Sequence, residues 1–162
     1  MKYSLLNHTV IPSGSCYPTL LKAEGFANSV GIGWAFQDPT LGVLGGLWDV
    51  PKDFSAGTVK VYLVWTAPTA TANTCDWGFR YKLATGDATS LLDLNVGSTP
   101  TQNVSLQDAA AGTAEYRMEI SAALTAANWA GSRTVLWQLY RDGVADTMTG
   151  NAILLDLLLG DA

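Results

Sequence analysis

Apolar and polar residues alternate with a period of two over much of this chain, the period of a strand with one buried face. Val59, Val61, Leu63 and Trp65 alternate with Lys60, Tyr62, Val64 and Thr66. Trp77, Phe79, Tyr81 and Leu83 alternate with Asp76, Gly78, Arg80 and Lys82. The same pattern holds for Tyr116, Met118 and Ile120, and for Val135, Trp137 and Leu139. In the last segment Ile153, Leu155, Leu157 and Leu159 alternate with Leu154, Asp156 and Leu158. Charges fall on one side of the middle segments, so that side is expected to meet water. Weaker strand signals cover 4–10, 19–23, 29–36, 43–50 and 101–106. Turn formers lie between them: Asp38-Pro39, Pro51-Lys52-Asp53, Thr85-Gly86-Asp87, Gly97-Ser98-Thr99-Pro100 and Asp142-Gly143. Proline presets φ there, glycine frees it, and aspartate side chains bond the local backbone.

Helical signal is poor. Asp108–Gly112 and Ser121–Trp129 read as loops or single turns. Many strands at short spacing point to an antiparallel sandwich or barrel. The segments 58–66 and 76–84 exceed the mean strand of about five to six residues, which suits a jelly roll. Long connections between several of the strands call for Greek-key crossovers. The expected fold is all-β: an antiparallel jelly-roll β-sandwich over residues 29–162, preceded over residues 1–28 by an irregular N-terminal arm or by a first strand with an irregular lead-in. The arm holds Pro12, Gly14, Pro18 and Gly25 between short apolar pieces. Its Tyr3, Leu5, Leu6, Val10, Ile11 and Tyr17 would be costly to leave in water, so they are expected to dock on something.

Composition sharpens this picture. Only 14% of the 162 residues are charged, against about 25% in an average soluble chain. Nine Lys and Arg against fourteen Asp and Glu argue against a nucleic-acid partner. A membrane span needs about 20 consecutive apolar residues, and the stretch Ile153–Leu159 is short and broken by Asp156. Met1–Leu6 begins as a secretory leader would, but the apolar run stops at Asn7-His8, so no leader is expected. Low charge in a chain of this kind points to surface covered by protein. Leu136, Tyr140, Leu154 and Leu158 make the second face of the last two strands unusually apolar, a candidate contact surface. Cys16 and Cys75 are far apart and read as two free, buried thiols.

Catalytic chemistry is hard to assemble. His8 stands alone, without a G-x-S-x-G elbow. Asp142 with Asp146, and Asp87 with Asp93, lack further oxygen ligands and read as turn-stabilising pairs. Three glutamates leave few candidates for paired carboxylates. There is no phosphate-binding loop. No enzyme activity, cofactor or metal is therefore expected. Trp65, Trp77 and Trp137 occupy core positions of strands, whereas Trp34, Trp48 and Trp129 lie near strand ends or loops. Rings placed there can meet a carbohydrate or anchor a protein interface.

One series of phrases carries a resemblance. Trp48-Asp49-Val50-Pro51-Lys52-Asp53-Phe54-Ser55-Ala56-Gly57-Thr58-Val59 leads into the alternating strand that ends at Trp65. Asp76-Trp77-Gly78-Phe79-Arg80-Tyr81 follows, with Gly86-Asp87 and Leu91-Leu92-Asp93 after it. Leu139-Tyr140-Arg141-Asp142, Ala145-Asp146-Thr147 and Ala152-Ile153-Leu154-Leu155 close the series. From Leu47 to the C-terminus, their order and spacing resemble a family of small jelly-roll structural proteins of tailed bacteriophages. Residues 1–46 carry no such phrase. The resemblance implies a homotrimeric capsid decoration (cement) protein on the outer surface of the capsid of the virion. Its partners would be its own copies and the major capsid protein. Leu136, Tyr140, Leu154 and Leu158 would then form the trimer interface. Tyr3, Leu5, Leu6, Val10, Ile11 and Tyr17 would form the capsid-docking arm. The alternative is a tail or fibre module that binds host-surface glycan through exposed tryptophan rings.

Overall fold

A computed structural model describes residues 1–8, 10–26, 31–51, 54, 58–69, 73–84, 102–124, 129, 134–142 and 146–161. The strands are β1 (Lys2–Ser4), β2 (Val10–Gly14), β3 (Cys16–Leu20), β4 (Ile32–Phe36), β5 (Leu41–Asp49) and β6 (Val59–Thr66). They continue as β7 (Thr74–Ala84), β8 (Gln102–Ala109), β9 (Met118–Ala123), β10 (Thr134–Asp142) and β11 (Ala152–Asp161). They form two antiparallel sheets packed as a sandwich. One runs β3-β4-β11-β6-β9, with β1 also paired to β11; the other runs β2-β5-β10-β7-β8. Successive strands mostly cross between the sheets, as β4 to β5, β6 to β7, β8 to β9 and β10 to β11 do. This is the all-β jelly-roll sandwich that the period-two pattern predicts.

The core forms where the alternation says it should. Val59, Val61, Leu63 and Trp65 of β6 meet Trp77, Phe79 and Tyr81 of β7 and Val135, Trp137 and Leu139 of β10, all buried. Each such apolar side chain contributes roughly 1.5–3 kcal/mol by leaving water. Aromatic edges lock the two sheets together: Phe36 and Trp65 both meet Trp77 edge-on, at 5.0 and 5.8 Å between centroids.

Two expectations are corrected. First, the N-terminal residues are strands of the body rather than an arm leaving it. β1 pairs with β11, β2 with β5 and β3 with β4. Leu5 is fully buried in the core, and Tyr3, Leu6 and Val10 pack against it. Tyr3 lies 5.7 Å from both Trp48 and Phe54, ring to ring. Proline and glycine broke the sequence pattern here because the segment turns often, not because it detaches. Second, β11 does not alternate throughout. Its register on β6 shifts between Leu154 and Asp156, so Leu155 is the extra residue of a β-bulge. Leu154 and Leu157 therefore both face the core opposite Trp65 and Leu63, while Asp156 and Leu158 face outward.

The turn clusters at Thr85-Gly86-Asp87 and Gly97–Pro100, and the Asp87/Asp93 pair, lie outside the described residues.

Candidate functional site

β4 shows how a site arises from a strand that outruns its cover. Ile32, Trp34 and Phe36 share one side of it by alternation. Phe36 is fully buried, Trp34 is half-buried against the core, and Ile32 is 78% exposed. The paired strand repeats the gradient: Cys16 is buried, Pro18 is exposed and Leu20 is 60% exposed. The core-facing side of this hairpin thus extends past the sandwich into solvent.

A second feature completes the hollow. β4 and β1 share one edge of β11: β4 takes Ala152–Leu154, and β1 takes Leu158–Gly160. The bulge residue Leu155 lies between these two pairings. A groove of about 510 Å³ opens there, with Trp34, Leu20, Ile32 and Pro18 on one side and Leu6 and Asn7 on the other. Leu155 and the backbone at Gly33 line it as well. Gly33 cannot take a side chain, since a Cβ would sit 2.7 Å from Ile153 Cγ2 and 2.9 Å from the Leu154 carbonyl oxygen. Such a volume falls within the roughly 300–1,000 Å³ of small-molecule sites.

The rim is polar and fixed. Thr19 lines the groove and donates to Glu24 Oε1 at 2.9 Å. Tyr17 donates to the same oxygen at 3.2 Å, and Asn151 donates to Glu24 Oε2 at 2.8 Å. Burial, with the Glu24 carboxylate beside it, pushes the Tyr17 phenol above its ordinary value.

Of the tryptophans placed near strand ends, Trp48 and Trp129 are core residues. All tryptophans except Trp34 are 2% exposed or less. Trp129 packs on Tyr81 at 5.5 Å and on Phe54 at 6.4 Å. Position near a loop did not expose them, because Tyr3 and Phe54 pack on Trp48, and Phe54 and Tyr81 pack on Trp129.

The four residues expected to share one subunit-contacting face do not share one. Leu136 and Tyr140 lie on the outer side of the five-stranded sheet, Leu154 is inside the sandwich, and Leu158 is on the outer side of the other sheet. β10 and β11 follow each other in the chain but belong to different sheets. Of the expected arm residues, Leu6 lines the groove, Tyr17 flanks its rim and Ile11 alone is strongly exposed.

Sequence reasoning also missed a buried ionic centre. Arg141 is fully buried against Asp146, and its Nη1 and Nη2 donate to the carbonyls of Phe36, Gly150 and Met148. Asp146 is therefore a salt-bridge partner, and its backbone N–H also donates to the Asp142 carbonyl at 3.0 Å. Both cysteines are free and buried, as expected. Burial raises the Cys16 thiol to about 12 and raises that of Cys75 as well, against a smaller lowering by Arg141. Among the described residues no group of three His, Cys, Asp or Glu could hold a metal ion. No helix among them is long and apolar enough to cross a membrane.

No family model and no curated protein matches the chain. Solved structures do. CsCBM6-3 from Clostridium stercorarium, in complex with cellobiose, aligns over 100% of this chain and 94% of its own at 11% identity, with a TM-score of 0.51. TmCBM61 in complex with β-1,4-galactotriose aligns over 94% and 88% at 11% identity, TM-score 0.46. The CBM22-1–GH10 modules of Clostridium thermocellum xylanase 10B, with xylohexaose, align over 94% of this chain and 26% of that one at 16% identity, TM-score 0.49. At these identities the likeness to CsCBM6-3 shows the β-sandwich fold. The capsid-decoration expectation is corrected by these findings. CsCBM6-3, which shares the fold, was solved with a sugar rather than as part of a virion, and the segment meant to reach a capsid is woven into both sheets.

Proposed function

We propose that this chain is a non-catalytic glycan-binding module whose groove beside Trp34 receives a neutral sugar chain. The observation that carries the reading is the exposure of Trp34. Among six tryptophans it alone is only half-buried, and its open side faces a groove of about 510 Å³. The apolar C–H face of a pyranose is attracted to the negative face of an indole ring. Leu20, Ile32 and Pro18 extend that apolar wall, and Asn7 and Thr19 supply amide and hydroxyl groups for sugar hydroxyls. The fold shared with a module solved in complex with cellobiose supports the choice of a β-linked neutral probe.

The test is fluorescence titration with cellobiose and longer neutral β-glycans. Because the other five tryptophans are buried, a ligand-induced shift reports on Trp34. Binding should appear in the native protein and fall about 30-fold or more in Trp34→Ala, the loss expected for a central aromatic anchor of about 2 kcal/mol. Titrations that show no shift on any neutral glycan, or the same affinity in Trp34→Ala, refute it. A second reading has an observation of its own. Leu20 and Ile32 leave an apolar flank on the hairpin that another copy can cover. Sedimentation of the native protein against Leu20→Ser/Ile32→Ser separates self-association from sugar binding.

A further inference from the structure

The opposite sheet carries a different arrangement. On β7 and β10, Trp77, Phe79, Trp137 and Leu139 point into the core, so Gly78, Arg80, Gln138 and Tyr140 occupy the outer side. Register places Tyr140 across from Gly78, Gln138 across from Arg80, and Arg80 across from Asn103 of β8.

Gly78 makes this arrangement possible. A Cβ there would lie 2.0 Å from Tyr140 Cζ and 2.2 Å from its hydroxyl oxygen. The phenol ring therefore lies down across the sheet where a side chain is missing. Its hydroxyl donates to Asn103 Oδ1 at 3.1 Å, so this bond occupies the amide oxygen of Asn103 and not its nitrogen. The Arg80 guanidinium sits over the ring, 4.8 Å from its centroid. Arg80 is exposed and has no carboxylate partner among the described residues. A cation held over a ring face keeps its N–H groups available at the rim of the guanidinium plane. Two carboxylates on this face, Asp76 of β7 and Asp142 of β10, lie beyond Gly78 and Tyr140 on the side away from Arg80, and Asp76 takes weak hydrogen bonds from Ser105 and Gln107 at 3.5 and 3.4 Å.

We propose that this face is a second binding site, for the carboxylate of a uronic-acid glycan, with Arg80 forking the carboxylate and Asn103 and Gln138 taking neighbouring hydroxyls. A guanidinium and a carboxylate pair through two parallel N–H···O bonds, and the ring beneath Arg80 has already restricted the rotamers such a bond would otherwise have to fix. The choice of a sugar acid rests on the glycan-binding reading; the surface does not, since it lies on the other sheet from Trp34.

The experiment compares trigalacturonate with its carboxyl-reduced trisaccharide, which differs only at C6. Calorimetric titrations use the native protein, Arg80→Gln and Trp34→Ala, each checked for an unchanged thermal midpoint. The native protein should prefer the uronate at least tenfold, with the preference falling as salt rises. Arg80→Gln should abolish that preference and Trp34→Ala should keep it. Equal binding of the two sugars, no binding of either, or a preference that survives Arg80→Gln overturns the proposal. A neutral-glycan titration that fails while the Arg80-dependent preference stands removes the Trp34 reading alone, and the reverse pattern removes only this one.

Discussion

Arg141 and Asp146 meet side-on inside the protein, Nε to Oδ2 at 2.6 Å and Nη2 to Oδ1 at 3.3 Å, with neither side chain reaching solvent. The same guanidinium takes carbonyls from the end of β4 and from the segment before β11, at 2.7–3.0 Å. It thereby fastens the two sheets at one end of the sandwich. Removing one partner of a buried pair leaves an uncompensated charge, which costs about 3–5 kcal/mol. Arg141→Met and Asp146→Asn should each lower the thermal midpoint by on the order of 10 °C. The double variant should be less destabilised than the sum of the two, a non-additivity that calorimetry can measure.

The N-terminus offers a contrast within a few residues. Leu5 is fully buried, whereas Ile11 is 69% exposed. Leu5→Ala should cost about 2–5 kcal/mol, and Ile11→Ala should stay within about 0.5 kcal/mol. Denaturant midpoints at constant slope would show the difference. Deleting residues 1–8 removes Leu5, the Tyr3 ring and the β1 pairing together, and should leave no cooperative unfolding transition. A truncated protein with the native midpoint would restore the idea of a separable arm.

The strands of the body were legible because their apolar positions repeat strictly. Val59 to Trp65 and Trp77 to Tyr81 needed no knowledge of their neighbours. β11 was misread in its first half because one extra residue, Leu155, reverses every face that precedes it. Nothing local in Ile153-Leu154-Leu155 marks the bulge, since all the residues around it are apolar. The candidate groove was legible in one residue only. Trp34 was among three tryptophans with similar surroundings in sequence, and only the relative lengths of the two sheets decide which ring is left uncovered. The Tyr140–Gly78 contact depends on β7 and β10 being neighbours, which non-local pairing alone establishes.

That contact predicts the effect of the smallest substitution on the outer face. Gly78→Ala places a methyl group where the Tyr140 ring lies. The ring must lift, the Asn103 bond must break and Arg80 must lose its platform. Overpacking of this kind costs roughly 1–3 kcal/mol. The Tyr140 ring resonances should shift, and the uronate preference should fall with them while binding at Trp34 stays intact.

The two thiols set an alkaline limit on stability. Burial pushes Cys16 up to about 12 and also raises Cys75, while an unburied thiol ionises near 9.0. A raised folded value means that the native state holds the proton after the unfolded chain has released it. The stabilisation is complete below about pH 9 and is lost as pH climbs toward 12, because the unfolded state alone gains from ionising. Denaturant midpoints should therefore hold steady from pH 7 to 8.5 and fall progressively above pH 9. Cys16→Ala should flatten part of that fall, although its midpoint at pH 7 will be lower for the lost packing. In parallel, a thiol-reactive dye at pH 8 should label neither cysteine in the native protein and both after denaturation. Rapid native labelling at either position would show that the thiol reaches solvent and would remove it from the alkaline effect.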